Sequence, residues 1–106
     1  MEKWYTESVD KLFEAILTLK TKEECKIFFE DICTVKEIQA ISQRLDVAIM
    51  LSEKKIYNAI AQETGASTAT ISRVNRCLTY GSGGYDLVLE RMRKRESEEE
   101  NKTNDM

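Results

Sequence analysis

The sequence predicts an all-α chain of six helices, and three features predict it. Apolar residues recur at intervals of three and four up to Met92, with no stretch alternating like a strand for long enough to compete. The 106 residues include no proline and only four glycines, so helices have few breakers to cross. Two threonines stand three residues ahead of a glutamate, each at the head of an apolar run, which is capping-box spacing. A chain of this length holds one modest core, so residues 1–95 are expected to form a single helical domain. With 42% apolar and 33% charged residues it is not disordered throughout.

The elements follow in order. Val9, Leu12, Phe13, Ile16, Leu17 and Leu19 recur at helical spacing after Thr6 or Ser8 as candidate caps. Thr21-Lys22-Glu23-Glu24 opens a second helix: the hydroxyl accepts from the third helical amide while Glu24 reaches back. Thr34-Val35-Lys36-Glu37 repeats the device, and a third helix runs to about Leu51 with Ile38, Ile41, Leu45, Ala48 and Ile49 on one face. Ser52 to Lys55 is a short polar connection. A fourth helix covers about Ile56 to Thr64, Gly65 turns the chain, and Ser67 caps a fifth from Thr68 to about Leu78. Tyr80 to Gly84 is a loop, and a last helix starts at Tyr85 and runs to about Met92. The acidic segment 96–106 lacks apolar anchors and is expected to fray or be disordered.

Phe28, Phe29 and Ile32 join Ile27 and Cys33 on two sides of the short second helix, and the first three helices all carry wide apolar faces. A helix buried on more than one side needs many neighbours, which a small chain supplies by pairing with a copy of itself. A homodimer is therefore expected. The alternative is a compact monomer in which those aromatics meet the final helix.

Several classes of function are excluded by composition. No apolar run approaches the roughly 18 residues of a membrane span, and Glu2, Glu7 and Asp10 interrupt any signal-like start, so a cytoplasmic protein without membrane contact is expected. Three cysteines, Cys25, Cys33 and Cys77, form no Cys-x-x-Cys pair, and the chain has no histidine. Neither a disulfide framework nor a metal site is indicated. No nucleophile has a base beside it and no carboxylate pair marks a pocket, so an enzyme is not expected.

The net charge of −3 conceals a strong division. Residues 1–53 hold seven basic and eleven acidic side chains, residues 54–95 eight and three, and residues 96–106 one and five. Positive charge is concentrated where a phosphate backbone could meet it. Residues 57–76 of that basic block read helix, glycine turn, helix, at the spacing of a helix-turn-helix reading head. Ala61 gives a small side chain where the two helices approach, Gly65 makes the turn, Ala66 tucks beneath it, and Ile71, Val74 and Leu78 anchor the second helix. The opposite face presents Thr68, Ala69, Ser72, Arg73 and Arg76. Short side chains let a helix N-terminus approach base edges in the major groove, while the arginines hold phosphate or guanine.

At Ala40-Ile41-Ser42-Gln43-Arg44 and from Glu63 to Leu78 the sequence resembles the tryptophan repressor superfamily, and within it the YerC/YecD group of Trp-repressor-related bacterial proteins. The similarity extends over about Val9 to Met92. It implies an intertwined two-fold dimer whose fourth and fifth helices read operator DNA to regulate transcription, as a repressor. In the tryptophan-binding members two arginines and a threonine hold the amino acid, and these match Arg44, Arg73 and Thr34. The glycine after their second arginine is Val74 here, expected to intrude on the cavity, and a ligand-holding serine matches Cys77. No L-tryptophan or other cofactor is therefore expected. Thr34 is equally a helix cap, and Arg44 equally a partner for Asp46 or Glu37. A base-contacting arginine of those members matches Asn58, and a phosphate-contacting lysine matches Ala61, with Lys54 and Lys55 placed to restore backbone contact.

The sequence thus nominates Lys54, Lys55, Asn58, Thr68, Ala69, Thr70, Ser72, Arg73 and Arg76 for contact with a double-stranded DNA operator. The competing reading is a non-enzymatic module that uses the same helices to hold a protein.

Overall fold

The computed structural model describes residues 2–104, and among them the chain forms six α-helices and no strand. They are α1 (Glu7–Leu17), α2 (Lys22–Ile32), α3 (Val35–Ser52), α4 (Tyr57–Thr64), α5 (Thr68–Tyr80) and α6 (Gly84–Asn104). The chain divides into two compact units, Met1–Gln39 and Ala40–Met106. The division falls inside α3, and among the described residues every buried apolar side chain, from Val47 to Leu89, lies in the second unit.

In the first unit the helices start where side chains satisfy their free amides. Thr6 accepts from the Val9 amide at 3.2 Å, which selects it over Ser8 as the cap of α1. Thr21 accepts from the Glu24 amide at 3.1 Å, but the Glu24 carboxylate takes the Lys20 amide at 2.8 Å, one residue before the cap. At α3 the box is reciprocal: Thr34 Oγ1 accepts from the Glu37 amide at 3.1 Å and Glu37 Oε1 from the Thr34 amide at 2.8 Å. The Thr34 backbone amide first, and then the Thr34 hydroxyl, hold the Glu37 carboxyl below the usual glutamate range. Neither α1 nor α2 contains a buried residue, although both carry several large apolar side chains.

The second unit has a small continuous core. Val47, Ala48 and Met50 of α3 meet Ile60 of α4, Ala66 of the turn, Ile71 and Val74 of α5 and Leu89 of α6, with Leu45, Ile49, Ala61, Leu78 and Tyr85 packed around them. No helix among the described residues is long and apolar enough to cross a membrane.

The last helix departs from the sequence reading. Instead of fraying from Glu96, α6 continues to Asn104; the final two residues of the acidic tail, 105 and 106, lie outside the described residues. Its second half is exposed, so propensity rather than packing accounts for it. Glutamate, lysine and arginine are good helix formers, neither glycine nor proline follows Gly84, and Lys94 faces Glu90 one turn back at 4.0 Å.

Candidate nucleic-acid interface

The turn between α4 and α5 is held by its own polar groups. Gly65 takes a left-handed conformation, φ 74° and ψ 5°, and donates its amide to the Ala61 carbonyl at 2.9 Å. Thr64 donates its hydroxyl to the Ile60 carbonyl at 2.7 Å and accepts from the Ala66 amide at 3.1 Å. Ala66 is buried under the turn, and Ser67 then caps α5 by accepting from the Thr70 amide at 3.1 Å. The far end of α5 stops at Gly81, where a Cβ would collide with the Cys77 carbonyl.

This anchoring decides what α5 shows to solvent. Ile71 and Val74 point into the core and Leu78 packs against it, so Thr68, Ala69, Ser72, Arg73 and Arg76 lie exposed on the other side. Ala69, Ser72, Arg73 and Arg76 line one shallow concavity. Thr70 differs from the rest of the nominated set: it is half-buried, and its amide and hydroxyl are both engaged by Ser67. The helix opens with no acidic residue in its first turn, so its positive end is uncompensated. Among the described residues Lys54, Lys55, Arg73 and Arg76 make no ion pair with an acid. Lys54, Lys55 and Asn58 are exposed at the start of α4, on the same unit.

Lys54 has a property that the sequence did not signal. It is the one non-glycine residue with positive φ, 65°, among those described. The Lys54 amide bonds to the Leu51 carbonyl at 3.0 Å and the Lys55 amide to that of Met50 at 3.1 Å, closing α3 in a position that glycine usually fills. Gln43 is the second residue that the sequence reading passed over. Its Nε2 donates to the Thr64 carbonyl at 3.2 Å, across 21 residues, and the only hint was its place in the Ala40-to-Arg44 stretch.

Of the residues matched to a corepressor site, Arg44 and Arg73 line different concavities of the second unit. An open groove of about 680 Å³ is lined by Ile41, Arg44, Leu45, Cys77, Tyr85 and Val88 together with the glycine loop. Arg44 and Cys77 are there, but Arg73 lies on the outward face of α5 and Thr34 caps α3. Val74 is 1% exposed within the core and is not among the residues that line this groove. Three residues beyond Ile71, it falls on the buried stripe of α5. Arg44 forms no salt bridge with Asp46 or Glu37. Among the described residues no group of three Cys, Asp or Glu side chains is placed to hold a metal ion.

Comparison with known proteins covers almost the whole chain. The family model of the Trp repressor protein matches residues 7–93. The protein YerC of Bacillus subtilis, itself uncharacterized, is 51% identical over 102 residues, which is 96% of this chain and 98% of that one. A crystal structure of a candidate Trp repressor from Staphylococcus aureus superposes with a TM-score of 0.83 at 54% identity, covering 86% of this chain and 91% of its own. A TrpR-like protein from Eubacterium eligens gives 0.82 at 58% identity, covering 85% and 93%.

Proposed function

The chain belongs to the Trp repressor family, and from that premise we propose that it is a sequence-specific DNA-binding regulator working as a two-fold dimer. The observation that carries this reading is the exposed side of α5. Small side chains at Ala69 and Ser72 allow close approach to base edges, and Arg73 and Arg76 follow on the same concavity without acidic partners. Lys54 and Lys55 add unpaired cations ahead of α4, suited to the adjacent phosphates. Repression is the simplest consequence, because a dimer seated on its operator excludes other proteins from that duplex.

Selection from a random duplex library, followed by titration of the enriched sequence at several salt concentrations, tests the reading. The expected product is a two-fold symmetric site with half-sites about one helical turn apart, and an affinity that falls steeply with salt. No enriched sequence and no salt-sensitive retention would reject it in favour of a protein-holding module.

The regulator is proposed to act without L-tryptophan. Support comes from Cys77 in the groove, where the tryptophan-binding members carry a serine, and from Arg73 lying outside it. A ligand of the folded dimer would raise stability as its concentration passes its Kd, so millimolar tryptophan should leave melting temperature and DNA affinity unchanged. Saturable binding at micromolar tryptophan, lost on Arg44→Ala, would overturn this.

A further inference from the structure

We propose that Gln43 is a positioning residue for DNA reading: from α3 it holds the turn between α4 and α5 and so sets where α5 presents Ala69 and Ser72. The inference rests on the DNA-reading function proposed above. Its physical basis is the weakness of α4, which has eight residues, no side-chain cap at its start and Ile60 as its single buried residue. A two-turn helix of that kind does not hold its own orientation. Its terminal carbonyls lack helical partners, and that of Thr64 lies at the pivot of the reading head.

Gln43 supplies the missing partner from α3, a longer helix outside the reading head. It stands one turn ahead of Val47 and two ahead of Met50, both buried, so it continues the core-facing side of α3 to its polar edge. A carbonyl can only accept, so the contact at 3.2 Å fixes the amide with its NH2 toward Thr64. The Thr64 hydroxyl is tied at the same time to Ile60 and Ala66. Thr64 is thereby fastened through its carbonyl to α3 and through its side chain to both sides of the turn. The caps of α1, α2 and α5 are local, each closing three residues, whereas this bond joins the scaffold to the pivot. Base discrimination depends on hydrogen bonds placed to a few tenths of an ångström, while phosphate attraction tolerates displacement. Losing the bond should therefore cost specificity more than general affinity.

The test uses the full chain with Gln43→Met, which keeps the volume and removes the donor, and Gln43→Glu, which keeps the shape. Amide exchange at Gly65 and Ala66, measured without DNA, should quicken roughly threefold to tenfold in both variants at neutral pH, as expected for one lost hydrogen bond. The ratio of selected-duplex to random-duplex affinity should fall by a similar factor while the salt slope stays constant. In Gln43→Glu alone the ratio should recover as pH falls through the glutamate range, about 4.3, because a protonated carboxyl can donate to Thr64 and a carboxylate cannot. A merely structural loss would not recover with pH. Unchanged exchange in both variants would overturn the inference even if the wild type reads DNA. Altered exchange with a wild type that selects no duplex would instead remove the functional reading, and the positioning role with it. Altered exchange with an undiminished specificity ratio would show that Gln43 holds the turn without positioning the reader.

Discussion

Ser72 and Arg76 stand one helical turn apart on the exposed side of α5, yet their chemistry assigns them different work. A serine hydroxyl is short and directional, suited to one base edge, whereas an arginine reaches several phosphates. Ser72→Ala should change the selected sequence, with a lost base contact costing about 1–3 kcal/mol at the affected position. Arg76→Ala should weaken all duplexes alike and make the salt slope shallower by about one unit. If no substitution from Thr68 to Ser72 altered the selected sites, α5 would not be the reader. Lys54 provides a sharper separation of folding from function. Its left-handed backbone costs a non-glycine residue on the order of 1 kcal/mol. Lys54→Gly should accordingly raise stability by up to about 1 kcal/mol in urea denaturation while weakening DNA binding through the lost cation. Stability and binding moving together would show that the charge at this position is not used.

The helices themselves were legible wherever a local chemical signal marks them. Thr21, Thr34 and Ser67 announced the starts of α2, α3 and α5, because a hydroxyl three residues before a free amide acts within one turn. The end of α6 was not legible, since apolar periodicity reports packing and this helix outlasts its packing. Val74 was legible as a core anchor of α5, because its spacing from Ile71 tells which stripe it occupies. Lys54 and Gln43 depended on contacts closed by the folded chain and left almost no trace in the sequence. Gly65 belongs to the legible set and carries the clearest consequence. Space around it is open, so Gly65→Ala meets no steric block, and its whole effect should come from φ 74°. A loss of about 1–2 kcal/mol in denaturation is expected, with DNA binding reduced because the turn orients α5. An unchanged midpoint would mean that the turn relaxes freely to another conformation.

At the scale of the molecule the distribution of apolar surface bears on assembly. Leu17 is 83% exposed, Val35 70% and Ile27 62%, and α1 and α2 bury nothing. Covering one such side chain fully contributes about 1.5–3 kcal/mol, so several together can repay the cost of association. In the proposed dimer a second copy of the chain would supply a matching face by two-fold symmetry and would bring a second α5 to the same duplex. Sedimentation equilibrium at micromolar concentration should therefore give twice the 12.2 kDa chain mass. The charged substitutions Leu17→Asp and Ile27→Asp discriminate further, because these positions are already exposed in the single chain and should scarcely trouble a monomer. If the dimer reading holds, the pair of substitutions shifts the protein toward 12.2 kDa and weakens operator binding far more than random-duplex binding, since two half-sites are no longer engaged together. A wild type that sediments as a single folded chain, with melting and DNA binding indifferent to both substitutions, would leave each α5 reading alone and would remove the two-fold symmetry expected of the selected site.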